Sequence, residues 1–158
     1  LTLPLLDETL KNPRVVGVKN SSMPVQDIQM FKRQGRLNGK EIIVYNGPDE
    51  QFVSGRLIGA DGGIGGTYGV MPEMFVKMNE ALAAGDFDRA QALQNAVCEG
   101  IYSMCSGKGN MYAVAKAVLN KRAGLELGGV RAPLLNLQDG DEAVVDKTVE
   151  LINKALAI

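Results

Sequence analysis

The sequence contains no histidine. That excludes Ser-His-Asp and Cys-His catalysis within this chain, and zinc sites built on imidazole. Cysteine is scarce: Cys98 and Cys105 are the only two. Both fall in one helical pattern. At about 1.5 Å of rise per residue their Cα atoms stand roughly 10 Å apart, beyond the ~7 Å that a disulfide can span. They read as buried, reduced helix residues. Long blocks of like charge are also missing, and the net charge is −1. The chain therefore carries no electrostatic footprint for nucleic acid. No apolar run approaches the roughly 20 residues of a membrane span. No basic-apolar-small signal segment opens the sequence. The expectation is a cytosolic protein with neither a nucleic-acid nor a membrane partner. No internal repeat or low-complexity tract is present.

What remains is a globular composition, with 46% hydrophobic and 22% charged residues over 158 positions, enough for one domain of ordinary size. The sequence opens on Leu1 rather than methionine, which fits a fragment, a processed chain or one piece of a larger fold. Leu5 to Lys11 reads as a short helix stopped before Asn12-Pro13. Arg14 to Lys19 is a mostly apolar, β-branched run that suits a strand buried on both faces. Pro24 to Gln34 reads as a helix, with Pro24 in its first turn and Gly35 at its end. Ile42 to Tyr45 is a second buried strand, Asp49 to Ile58 a short helix, and Ala60 to Ile64 a third, glycine-punctuated strand. Alternation of strand and helix implies βαβ units and a parallel sheet. From Pro72 the pattern turns helical, with segments near 72–84, 86–106, 110–123 and 140–157. Gly85-Asp86 marks a break with a fresh N-cap, and 123–141 is a long loop. Three parallel strands leave two open edges, which are association hazards. A closed eight-stranded barrel needs roughly 250 residues. The chain forms either a small open sheet or part of a barrel whose other strands come from elsewhere.

Three strand ends carry polar chemistry, and in parallel α/β folds the C-terminal strand ends form the active face. Lys19 ends the first run. A lysine there attacks a carbonyl when its amine is neutral, and burial among Val16, Val18 and a barrel wall would disfavour the ammonium form. The plainer reading is a solvated lysine capping a strand. Tyr45-Asn46-Gly47-Pro48-Asp49-Glu50 follows the second strand. Its paired carboxylates suit the hydroxyls of a polyol, and Gly47 allows a substrate to approach the backbone. Asp49 also fits the N-cap of the next helix, with Glu50 favourable to its dipole. Gly59 to Gly69 wraps the third strand end and exposes backbone N–H groups. It is not a P-loop, because no Gly-Lys-Ser/Thr follows. A phosphate site and a tightly packed strand both fit it.

Taken in order, Gly17-Val18-Lys19-Asn20-Ser21, then Tyr45-Asn46-Gly47-Pro48-Asp49-Glu50, then Gly59-Ala60-Asp61-Gly62-Gly63-Ile64-Gly65-Gly66-Thr67-Tyr68 resemble successive strand-end motifs of the N-acetylneuraminate lyases. These belong to the wider dihydrodipicolinate synthase and neuraminate lyase superfamily. The resemblance covers essentially the whole chain, including the Gly-Gly-Val-Arg-Ala-Pro-Leu loop at 128–134. The Tyr-Asn-Gly-x-Asp-Glu and Ala-Asp-Gly-Gly-Ile-Gly segments favour the sialate lyases over the dihydrodipicolinate synthases.

The resemblance implies an α/β fold, namely the C-terminal part of a (β/α)8 TIM barrel, about three β/α units over 1–71. The last barrel helix and a C-terminal helical domain would follow over 72–158. It implies a class I, Schiff-base aldolase that reversibly cleaves N-acetylneuraminate, a sialic acid, to N-acetylmannosamine and pyruvate, with no cofactor and no metal. Lys19 would form the Schiff base with the pyruvate carbonyl. Ser21 stands where the family often has a hydroxyl contacting the sugar. Gly47, Asp49 and Glu50 would hold the polyol chain, and Ile64 would line the pyruvate end. At Gly66 the family often has a serine that contacts the glycerol tail, so that contact is missing here. The family's Gly-Ser/Thr-Thr-Gly-Glu motif for the pyruvate carboxylate and its Tyr-Asn-Ile-Pro motif for proton shuttling are also missing. Neither Tyr45 nor Tyr68 matches the shuttle position. The partners implied are the small-molecule substrates, an N-terminal half-barrel chain or segment, and further copies in a homo-oligomer such as the family's tetramer. Two other readings stay open: a related pyruvate-dependent aldolase for another 2-keto acid, and a non-catalytic half-barrel assembly module.

Overall fold

The computed structural model describes residues 1–158. It divides into two compact units, Leu1–Gly65 and Gly66–Ile158. The first unit runs α1 (Leu3–Leu10), β1 (Gly17–Asn20), α2 (Asp27–Leu37), β2 (Ile43–Asn46), a 3-10 turn (Asp49–Gln51), α3 (Phe52–Leu57) and β3 (Gly62–Gly63). The three strands form one parallel sheet in the order β1-β2-β3. This is the βαβ arrangement expected from the alternating runs.

Thr2 caps α1 by accepting the Leu5 N–H, and a proline opens the helix. One face of α1 buries Leu6 and Leu10, and α2 buries Ile28 and Phe31. These side chains meet Ile42, Val44 and Ala60 in a single cluster, with Val18 packed against it. Strand residues alternate faces. Val18 and Val44 therefore turn toward the helices, while Gly17, Lys19, Ile43 and Tyr45 share the opposite face. That second face is open: Val16 is 66% and Ile43 40% exposed. The expectation of strands buried on both faces is corrected here. The helices cover one face only, and nothing within this unit covers the other.

Several boundaries also shift. Pro24 and Val25 form a turn whose carbonyls accept the Asp27 and Ile28 N–H groups, so α2 begins at Asp27. Gly35 does not end it. It lies buried inside the helix, where Ile42 packs so closely that an added Cβ would sit 2.7 Å from Ile42 Cγ1. The third strand shrinks to two residues because Tyr45 and Asn46 are the only β2 positions it pairs with. Just before it, Asp61 accepts the Val44 N–H and Lys32 Nζ, while Lys32 also reaches the Ile42 carbonyl. Burial pushes the Asp61 carboxyl up. The Val44 N–H and the Lys32 ammonium outweigh this and hold it below the usual carboxylate range.

The second unit is helical: α4 (Pro72–Ala84), α5 (Phe87–Cys105), α6 (Met111–Ala123) and α7 (Asp141–Ala155). Proline opens α4, Gly85 closes it in the left-handed region, and Asp86 caps α5 through the Arg89 N–H. Asn110 caps α6 through the Tyr112 N–H. The core of this unit holds Met74, Met78, Leu93, Val97, Val114 and Ile152. Asp141 opens α7 and turns back to accept the N–H groups of Gln138, Lys108 and Gly109. Those three donors hold its carboxyl below the ordinary range. Cys98 and Cys105 are unbridged, but neither is buried as expected: Cys98 is half-buried and Cys105, which ends α5, is exposed. No helix is long and apolar enough to cross a membrane.

Candidate active site

The C-terminal ends of β1, β2 and β3 place the polar residues. Lys19 sits beside Tyr45 in the parallel register, on the open face of the sheet. Both line a cavity of about 460 Å³ with Arg14, Val16, Gly17 and Ile43. The lysine side chain is exposed, contrary to the expectation that Val16, Val18 and a barrel wall would bury it. Val18 faces the helices instead, and Val16 is itself open to solvent.

Next along β1, Asn20 is buried. Its Oδ1 accepts the Ser22 N–H at 3.2 Å. Ser22 Oγ lies 2.5 Å from Asn20 Oδ1 and 3.1 Å from Asp27 Oδ2, so its one proton is shared between two acceptors. Ser21 is left exposed beside this network. The Gly47 N–H donates to the Asn20 carbonyl at 2.7 Å, joining the ends of β1 and β2. A Cβ at Gly47 would meet Asn20 O at 2.4 Å and Ser21 Oγ at 2.7 Å. The group that approaches Gly47 in this structure is therefore the neighbouring strand end.

Asn46 is fully buried and donates through Nδ2 to the Pro48 carbonyl. Its Oδ1 is buried without a partner and presses on Gly55, where a Cβ would stand 2.5 Å away. Asp49 is not the N-cap of the next helix. Gln51 holds that place before α3 and Pro48 the place before the 3-10 turn, neither with a side-chain cap, and Asp49 is the first residue of that turn. The Asp49 side chain is buried, and Glu50 beside it is exposed. The Asp49 carboxylate lies directly against Gly65, where a Cβ would fall 1.4 Å from Oδ1. Ile64, whose N–H donates to the Asn46 carbonyl, is 46% exposed. Gly66 opens the second unit, and the Tyr112 ring occupies its side-chain space, with Cε1 2.8 Å and Oη 3.0 Å from an added Cβ.

The structure thus joins Lys19 to Tyr45, Ser21 to Gly47, and Asp49 to Gly65. Reading along the chain did not single out Asn20, Asn46, Gly65 or Tyr112. The two asparagines had a signal, since each is the polar residue that ends its strand. The Gly65 and Tyr112 contacts join residues distant in sequence and leave no such mark.

This arrangement has known relatives. Residues 1–152 match the model of the dihydrodipicolinate synthetase family. The chain belongs to that family. It is 57% identical over 152 residues to an N-acetylneuraminate lyase of Mediterraneibacter gnavus, covering 96% of this chain and 47% of the relative. An N-acetylneuraminate lyase of Rhizobium meliloti is 32% identical over 148 residues, 94% of this chain and 47% of that one. Among solved structures, the wild-type sialic acid aldolase of Ruminococcus gnavus superposes with a TM-score of 0.93 at 56% identity, covering 98% of this chain and 50% of the aldolase. The chain spans about half the length of the relatives it matches. In this family frame the three-stranded sheet and its helices are part of a TIM barrel, as the strand-end motifs implied.

Proposed function

We propose that this chain is the lysine-bearing half of a Schiff-base aldolase that reversibly cleaves N-acetylneuraminate to N-acetylmannosamine and pyruvate. The observation that carries the reading is Lys19 standing at the C-terminal strand end on the open sheet face, in a chain 57% identical to an N-acetylneuraminate lyase. Lys19 Nζ attacks the keto carbon of the substrate, and loss of water gives an iminium. The C4 hydroxyl then gives up its proton and its oxygen becomes the aldehyde carbonyl of departing N-acetylmannosamine, as the bond between C3 and C4 breaks and its electron pair flows into the iminium to leave an enamine. Protonation and hydrolysis release pyruvate and return the free amine. Because the iminium is the electron sink, no cofactor or metal enters. Ser21, Gly47, Asp49 and Glu50 lie at the strand ends and supply hydroxyl, backbone carbonyl and carboxylate groups for the polyol. Ile64 borders the pyruvate end.

The residues that bind the pyruvate carboxylate and move the proton come from a complementary half-barrel, as a second chain or a further segment. The complete protein acts as a homo-oligomer in the cytosol. A second reading, a related aldolase for another 2-keto acid, draws on Gly66, where Tyr112 fills the space that a serine side chain would need.

The test pairs this chain with the part of the M. gnavus lyase that precedes its matched half. The pair is incubated with pyruvate and borohydride and its intact mass is read. A reduced adduct mapped to Lys19, absent in Lys19→Ala, is expected. A soluble, assembled pair that takes no adduct refutes the aldolase reading. Preference for another 2-keto acid in a cleavage panel selects the second reading.

A further inference from the structure

The glycines at the strand ends are glycines for different reasons. Gly59 has φ +107°, a backbone conformation that side chains rarely adopt. Gly47 meets the backbone of Asn20 and Ser21. Gly65 has neither constraint. Its φ is not positive, and the three atoms nearest to an added Cβ are all in one side chain: Asp49 Oδ1 at 1.4 Å, Cγ at 2.4 Å and Oδ2 at 2.9 Å. The space that a side chain at 65 would fill is therefore the space the Asp49 carboxylate fills. Asp49 is 6% exposed, so few other rotamers are open to it inside its turn.

We infer that Gly65 is a positioning residue: by having no side chain it sets where the Asp49 carboxylate points, and with it how tightly the polyol end of the substrate is held. The inference rests on the proposed role of Asp49. Gly65 touches no reacting atom and lies on a different strand end from Lys19. An alanine there satisfies the backbone but drives the carboxylate out of its place. Substrate binding then suffers while the carbonyl chemistry at Lys19 continues. The same contact predicts that the Gly65 substitution matters only while residue 49 has a carboxylate to displace.

The experiment uses the complemented barrel described above, with Gly65→Ala, Asp49→Ala and the double variant. For Gly65→Ala, KM for N-acetylneuraminate is expected to rise by about tenfold, the scale of one lost hydrogen bond to a charged group. Its kcat and the fraction of Lys19 trapped by pyruvate and borohydride should stay near those of the parent pair. In the Asp49→Ala background the same substitution should add nothing to KM. A merely structural role would lower kcat and trapping together by reducing the folded fraction, and would leave KM unmoved. That outcome overturns the inference, as does an unchanged KM or a fully additive double variant. If the parent pair itself traps no pyruvate, the aldolase reading fails. The contact is then judged on this chain alone by urea denaturation. A midpoint lowered by Gly65→Ala in the parent and not in Asp49→Ala upholds the positioning of Asp49, and equal shifts in both overturn it.

Discussion

Replacing Gly47 by alanine probes the contact that ties the first two strand ends together. Gly47 donates its N–H to Asn20 O at 2.7 Å. An added Cβ would stand 2.4 Å from that same oxygen and 2.7 Å from Ser21 Cα. Ordinary van der Waals contact for a Cβ begins at 3.4 Å, so one strand end must retreat by about 1 Å; Ser21 Oγ, also 2.7 Å away, can turn aside, but the other two atoms in the way are backbone. Overpacking of this kind costs about 1–3 kcal/mol, and the strained hydrogen bond about 1 kcal/mol more. Gly47→Ala should therefore lose about 2–4 kcal/mol of unfolding free energy in urea. Gly69→Ala is the control: nothing lies within 4 Å of its added Cβ and its φ is not positive. It should stay within about 0.5 kcal/mol of the parent. A Gly47→Ala chain as stable as Gly69→Ala would refute the claim that the ends of β1 and β2 are locked backbone to backbone.

Two further substitutions test the helical unit. Gly66→Ser, which introduces the residue common in the sialate lyases, must displace the Tyr112 ring. It should cost about 1–3 kcal/mol by calorimetry in the parent and far less in a Tyr112→Ala background. Equal costs in both would mean the ring does not fill that space. Asp141 has a folded-state pKa held below its unfolded value. Its stabilisation is therefore complete above about pH 4 and is lost as pH falls through the lower, folded value. Asp141→Asn should flatten the acid limb of a stability-against-pH curve, and an acid limb identical to the parent's would refute the role of the three N–H donors.

Much of the fold is legible in local chemistry. The helix at 72–84 is bounded by a proline suited to a first turn and a glycine suited to a left-handed end, and α4 has those limits. The strands are legible as β-branched runs, but their ends are not, because pairing is set by the neighbour. Arg14 and Val15 look like strand residues, yet the ladder with β2 begins only at Gly17. Gly35 looks like a helix stop and becomes a packing site for Ile42, a contact between an element's interior and the strand that follows it. The apolar run of β1 pointed to burial on both faces. The structure buries only the Val18 face, because whatever covers Val16 and Ile43 is not among the elements of this unit. The candidate site divides in the same way. Lys19, Asp49 and Glu50 are legible as polar residues at strand ends, and the family resemblance gave them roles. The placement of Asp49 depends on a glycine sixteen positions later in the sequence, which no spacing rule joins to it.

Under the proposed reading, the two ends of the substrate are served differently by this chain. At the polyol end, Ser21 is held against Gly47 and Asp49 against Gly65 by contacts wholly within the first unit. Buried Asn20 and Asn46 support the turns that carry them. That end is held by contacts that the first unit itself supplies. At the carbonyl end, Lys19 stands exposed on a face where Val16 and Ile43 also meet water. Forming an iminium there requires expulsion of water, which depends on covering that face. Strands that bury Val16 and Ile43 would at the same time enclose Lys19, so closing the barrel and enabling the amine are one event. Substitutions at Gly47, Asp49 or Gly65 should then alter which substrate is held, whereas changes in the complementary half should alter whether any carbonyl reacts at all.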